Sequence, residues 1–115
     1  MNTIAKNTWA GRMPGMELKK SVVRKTGARS RRLERVVKGF ANHRRIEILE
    51  LLGKKPEMSV GEISLATEIE LKTASEHLRR LTIAGLILKR YEGREVRHVL
   101  TPRARHILTF LRMLA

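Results

Sequence analysis

The chain has 115 residues, and its 25 Lys and Arg against 11 acids give a formal net charge of +14. That length supports one small domain with a single modest core, and the charge favours a polyanion as partner, nucleic acid before an anionic membrane surface. There is no cysteine, which excludes a disulfide framework, a thiolate metal site and a cysteine nucleophile, and one Trp, one Tyr and two Phe are too few aromatics for a base-stacking platform.

Residues 1–29 differ from the rest. Lys6, Arg12, Lys19, Lys20, Arg24, Lys25 and Arg29 face a single acid, Glu17, and glycines at 11, 15 and 27 with Pro14 punctuate the stretch. This composition predicts a solvated basic tail, with a weak helix over Met16 to Lys25 that turns Leu18 and Val22 inward. The sharper alternative is an arm that neutralises phosphates or enters a minor groove.

From Ser30 the pattern tightens into a domain over residues 30–115. Ser30 is a candidate cap for a helix reaching about Ala41, with Leu33, Val36, Val37, Phe40 and Ala41 as its apolar stripe. Asn42 suits the cap of a second helix, His43 to Leu52, with Ile46, Leu49 and Leu52 inward, Gly53 as its C-terminal cap and Pro56 following. Ser59 and Glu62 have capping-box spacing and open a short third helix with Val60, Ile63 and Ala66 inward. A turn near Thr67 to Glu70 leads to a fourth helix, Leu71 to Ala84. Its stripe is Leu71, Ala74, Leu78, Leu81 and Gly85. So short a break makes the two helices meet steeply, as in a helix-turn-helix.

After Gly85 the period changes. Leu86 to Tyr91 and Glu95 to Leu100 read as two strands joined by Gly93-Arg94 in a tight hairpin. Thr101 caps and Pro102 opens a last helix with Ile107, Leu108, Leu111 and Leu114 on one face and Phe110 beside them. The longest apolar stretch, Ile83 to Leu88, is too short to span a bilayer, and the N-terminus lacks a continuous apolar signal segment. A cytoplasmic, nucleoid-associated protein is therefore expected.

The segments FANHRRIEILELL (Phe40 to Leu52), TASEHLRRLTIAGLI (Thr73 to Ile87) and YEGREVRHVLT (Tyr91 to Thr101) resemble the ArsR type of winged helix-turn-helix transcriptional repressor. The resemblance covers about Arg31 to Ala115. Its most specific piece is Ser75-x-His77-Leu78, then Leu81, then Ala84-Gly85-Leu86. It implies a mainly α fold with a small β-hairpin, in the order α-α-α-α-β-β-α. It implies a dimeric repressor of double-stranded DNA, with the helix Leu71 to Ala84 in the major groove and the wing, residues 86–100, beside it. The first and last helices would pack against a second subunit.

The residues support that reading independently. Thr73 and Ser75 are short polar groups in the N-terminal half of the fourth helix, suited to bases or phosphates, and Lys72, Arg79 and Arg80 suit phosphate or guanine. Glu76 repels phosphate, which points either to a cytosine amino group or to a salt link with Arg80, four residues on. His77 can bond a phosphate even when neutral. Arg94 at the hairpin tip and Arg97 in the second strand are candidate wing contacts, although Arg94 can instead pair with Glu92 or Glu95. His98 is expected to pack its ring on the sheet. For the dimer interface the candidates are Leu33, Val37, Phe40, Ile107, Phe110, Leu111 and Leu114, since two amphipathic terminal helices exceed what so small a domain can bury alone.

Three departures from the family pattern matter. No Cys pair stands in Ser59 to Ala66, where sensor members often carry one. Only His106, with no acid after Glu95, is present on the last helix, so no metal and no cofactor is expected. Glu68 occupies the turn position where relatives often have Gly, and a bulky residue there is costly at positive φ. Neither catalytic spacing nor a phosphate-binding loop is present, which argues against an enzyme. Two alternatives stay open: a sequence-blind architectural DNA- or RNA-binding protein, and a winged-helix protein-interaction module.

Overall fold

The computed structural model describes the backbone of residues 20–115 and side chains from residue 26 onward. The chain divides into units Met1–Leu33 and Glu34–Ala115. Five helices and one hairpin follow in order: α1 Lys20–Phe40, α2 His43–Lys54, α3 Val60–Thr67, α4 Leu71–Ile83, β1 Ile87–Glu92, β2 Glu95–Leu100 and α5 Pro102–Leu114. The architecture is the expected winged helix-turn-helix.

Three of the cap signals hold. The Asn42 side chain accepts from the amides of Arg44 and Arg45, Ser59 and Glu62 close a reciprocal capping box, and Thr101 Oγ1 accepts from the amide of Ala104 with Pro102 at the first position. Two fail. Ser30 lies inside α1, which runs back to Lys20. A Ser can be carried within a helix when good helix formers flank it, here Ala28, Arg29, Arg31 and Arg32. The helix foreseen over Met16 to Lys25 overlaps α1 from Lys20, and residues 20–29 of the expected tail belong to that helix; residues 1–19, Leu18 among them, lie outside the described residues.

Gly53 also lies inside its helix, with Lys55 as the true C-cap. Its lack of a side chain serves packing instead, since a Cβ there would sit 3.2 Å from Leu108 Cδ1 of α5. Gly39, near the end of α1, is similar: a Cβ at this position would collide with the Cβ of Ala84, the C-cap of α4.

The core is aliphatic. Ile48, Leu49 and Leu52 of α2, Ile63 of α3, Ala74, Leu78 and Leu81 of α4, Leu86 and Ile87 at the entry to β1, Leu100 of β2 and Ala104 and Leu108 of α5 are all buried, joined by Phe40 and Met58. At roughly 1.5–3 kcal/mol for each large apolar side chain, this cluster supplies the main stabilisation. Several residues of the expected apolar stripes are not inward: Leu71 is 53% exposed at the first turn of α4, and Ala66 of α3 and Leu33, Val37 and Ala41 of the first stripe are exposed.

The hairpin is antiparallel, pairing Ile87 with Leu100, Lys89 with His98 and Glu92 with Glu95. Gly93 takes φ +62° at its tip and Gly85 takes φ +76° at the exit from α4. His98 is buried, and its Nδ1 lies 2.9 Å from the carbonyl oxygen of Met58, beside a backbone bridge between the same two residues. Donation from Nδ1 ties the wing to the segment before α3. Burial lowers the His98 pKa below the ordinary 6.5; the Met58 carbonyl acts in the opposite direction and Lys89 assists the lowering.

Glu68 closes α3 in the left-handed region, φ 56° and ψ 36°, its amide donating to Ser64 O. The helix-turn-helix turn therefore keeps its geometry and carries the strain of a side chain at positive φ.

Two outcomes are expected. Glu68→Gly should raise the unfolding free energy by about 0.5–1 kcal/mol, read as a higher urea midpoint at unchanged m-value; part of the relieved strain is offset by the freer unfolded chain. The second concerns pH. His98 binds its proton more weakly folded than unfolded, so stability is full above the unfolded value of 6.5 and falls as pH drops through it towards the lower folded value. His98→Gln should flatten that fall in denaturant titrations run at successive pH values.

Candidate nucleic-acid interface

With Ala74, Leu78 and Leu81 sealed against the core, the 3.6-residue period leaves one outward ridge on α4. Lys72, Glu76, Arg79 and Ile83 lie along it, Thr73 and Arg80 to one side and Ser75 to the other, all exposed. Glu76 is forked between two arginines: Arg79 Nε donates to Oε2 at 3.3 Å and Arg80 Nε to Oε1 at 3.2 Å. The Arg80 guanidinium, with Arg79 beside it, holds the Glu76 carboxyl below the usual range, so it stays ionised. Of the two readings of Glu76, the salt link to Arg80 is present and extends to Arg79. Lys72, Arg79 and Arg80 less Glu76 leave this ridge at +2. Exposed pairs of this kind are weak, so either guanidinium can exchange the carboxylate for a phosphate. No side chain caps the first turn of α4, because Glu70 at the cap position makes no side-chain bond to it.

His77 sits half-buried at the flank of the ridge. Its Nδ1 accepts from Arg45 Nε of α2 at 3.3 Å. The same Arg45 donates through its Nη1 to Gly39 O at 2.9 Å and to Lys38 O at 3.3 Å at the end of α1. Sequence reasoning missed Arg45, since a partner 32 residues away leaves no local signal.

The wing sorts its arginines. Arg90 binds Glu57 and, at 2.9 Å, Glu92. Arg97 binds Glu95 at 2.6 Å, Glu62 at 3.4 Å and the carbonyl of Glu57 at 3.2 Å. Arg97, a candidate wing contact, thus carries ion pairs of its own: it lies opposite Arg90 in the strand pair and clasps β2 to the start of α3. Because Arg90 takes Glu92 and Arg97 takes Glu95, Arg94 at the exposed tip pairs with neither. Lys89, another residue that sequence reasoning passed over, is exposed on β1. It shares a shallow cleft with Ser75 of α4, and Val60, Leu78, Val96 and His98 complete the lining. Its signal was the two-residue period that places it opposite His98.

The seven residues foreseen for a dimer interface divide. Phe40 is buried in the chain's own core, because α1 turns it under the Gly39–Ala84 contact, and Ile107 and Leu111 are partly buried against the same core. Leu33, Val37, Phe110 and Leu114 stay about half exposed or more, and Met113 is 78% exposed. Ile46, Leu108, Leu111 and Leu114 line an open groove between α2 and α5 with Glu50 and Arg112. Among the described residues, no group of three or more His, Cys, Asp or Glu is placed to hold a metal ion, and no helix is long and apolar enough to cross a membrane.

Comparison with known proteins converges on this geometry. The family model "Bacterial regulatory protein, arsR family" matches residues 42–89, from the cap of α2 into β1. The HTH-type transcriptional regulator Rv0324 of Mycobacterium tuberculosis is 46% identical over 59 residues, covering 51% of this chain and 26% of that protein. The transcriptional activator HlyU of Vibrio cholerae is 38% identical over 66 residues, covering 57% of this chain and 60% of that protein. The matched segment thus spans only about a quarter and 60% of these two curated relatives.

Among solved structures, reduced HlyU from Vibrio cholerae superposes with a TM-score of 0.68 at 31% identity, covering 78% of this chain and 95% of that one. The homodimeric winged helix-turn-helix domain of Mb0332 from Mycobacterium bovis, described as a possible ArsR-family regulator, gives 0.67 at 29% identity and covers 89% of each chain. With the fold, the matched segment and near-complete coverage of HlyU in agreement, the chain belongs to the ArsR family of winged helix-turn-helix transcriptional regulators.

Proposed function

We propose that this regulator binds a specific double-stranded DNA site as a homodimer and represses transcription by occupying it. The observation that carries the reading is the outward ridge of α4, with its short polar groups at the N-terminal half and its cations beyond. In this reading α4 enters the major groove. Lys72, Thr73, Ser75, Glu76, His77, Arg79 and Arg80 meet DNA there, and Arg94 and Lys89 reach the backbone or minor groove from the wing. Arg97 contributes by holding the wing. Residues 30–115 form the DNA-binding and dimerisation domain, and the basic residues 1–29 add sequence-blind attraction to phosphates. The relative HlyU is named an activator. Repression is the simpler mode here because it requires only occupancy of the site, through the surfaces just named.

The dimer rests on the exposed apolar side chains Val37, Phe110, Met113 and Leu114 and on the groove between α2 and α5. Mb0332 is described as homodimeric, in line with this reading. Phe110→Glu should shift the protein to monomer in light scattering and weaken operator binding by roughly a hundredfold, since two linked half-sites bind with far greater avidity than one. A monomeric variant with undiminished affinity would remove the dimer from the reading.

A second reading, a sequence-blind architectural protein, is favoured by the +14 charge. Selection from a random DNA pool at rising salt separates the two. The proposed function predicts a two-fold symmetric motif with half-sites about one helical turn apart. It also predicts that Arg79→Ala with Arg80→Ala lowers operator affinity by roughly tenfold or more at unchanged Tm. Survivors that share no motif, with affinity collapsing in salt, would decide for the architectural reading. A reporter behind the selected site should be released when the chain is deleted; lost expression would instead indicate activation.

A further inference from the structure

Arg45 joins three elements through one guanidinium. It leaves α2, accepts no charge partner among its bonds, and spends its donors on the carbonyls of Lys38 and Gly39 at the end of α1 and on the imidazole of His77 in α4. The Nε–H of an arginine can only donate, so the Nδ1 of His77 that receives it is an unprotonated acceptor. In an imidazole with Nδ1 unprotonated, the one remaining proton is on Nε2. His77 stands on the flank of the ridge that carries Thr73, Arg79 and Arg80.

Resting on the DNA-binding role of α4, we propose that Arg45 is a positioning residue for recognition: its bond to Nδ1 fixes His77 as the Nε2–H tautomer, so that the imidazole presents a single N–H donor to an acceptor on DNA. A histidine left free would divide between two tautomers and swing about its side-chain bonds, and a fixed donor avoids that ordering cost on binding. The anchor is itself rigid. Gly39 and Lys38 end α1 beside the tight approach of Gly39 to Ala84, so the guanidinium is held from behind while it holds the ring.

The surroundings of the ring on balance favour its neutral form. Arg45, Arg44 and His43 from α2 oppose its protonation and Glu76 on its own helix favours it, while burial, the largest influence, lowers the pKa below the ordinary 6.5. The lowered pKa favours the neutral imidazole that accepts from Arg45.

The test uses the full chain and the site enriched by selection. Long-range nitrogen–proton NMR of the free protein should report His77 as the Nε2–H tautomer, and in Arg45→Met as a mixture. His77→Ala and Arg45→Met should each lower operator affinity by roughly tenfold, the size of one lost hydrogen bond to DNA, and the double variant should lose no more than His77→Ala alone. In the wild type the pH dependence of affinity that comes from His77 should lie below the ordinary 6.5. In Arg45→Met, freed of the neighbouring cation, that dependence should move to higher pH, with affinity rising as pH falls through it, because an imidazolium then forms beside phosphate.

Additive losses in the double variant, with the salt slope reduced by about one on removing Arg45, would show that Arg45 is a direct phosphate contact and overturn the proposal. An Nδ1–H tautomer in the wild type would overturn it as well. So would selective operator binding untouched by His77→Ala, and that result would leave the DNA-binding role of α4 standing. Absence of any selected site for the wild type would overturn both.

Discussion

Everything that α4 presents to the outside depends on how its other face is held. Ala74 and Leu81 are fully buried and Leu78 almost so, against Ile48 and Leu49 of α2, Ile63 of α3 and Leu86 beyond the helix exit. A helix with one face fixed by close packing has no freedom to roll, so its outward ridge is fixed too. Gly39 sharpens this constraint. Only a residue without a side chain lets the end of α1 come down on Ala84, and the contact sets where α4 ends. The exposed cations of α4 are arranged by the apolar seam on its opposite face.

Charge is then sorted on that scaffold. The excess of basic residues leaves some arginines for structure and others for solvent. Arg90 and Arg97 are drawn into carboxylates on the wing and beside α3, Arg79 and Arg80 share Glu76, and Arg45 is turned inward on carbonyls and an imidazole. Exposed pairs contribute little stability singly. Their use here is directional, since an arginine clasped at the root of the wing keeps Arg94 at the tip while giving it no partner of its own.

The exit from α4 links that helix to α5. Gly85 turns the chain with positive φ, Arg103 donates to Ala84 O at 2.9 Å, and Thr101 Oγ1 donates to Gly85 O at 2.7 Å while accepting from the amide of Ala104. Two residues at the start of α5 thus hold the carbonyls at the end of α4.

The sequence by itself determined the element order, the cap residues Asn42, Ser59 and Thr101, the hairpin turn, the buried face of α4 and its outward ridge. Each of these is written in neighbours no more than a few residues apart, where helical and strand periods and cap chemistry act. It also contained the salt link from Glu76 to Arg80, again a local pair. Tertiary structure alone decided the rest. Ser30 looked like a cap but is carried inside a longer helix. Gly53 looked like a terminator, yet it makes room for Leu108. Phe40 looked like interface and is core, Arg97 gave no sign of its bond to Glu62, and Arg45 gave none of meeting His77. Ser30 apart, the deciding partner in each case is distant in sequence, and a local pattern cannot say which of several compatible partners the folded chain brings within reach.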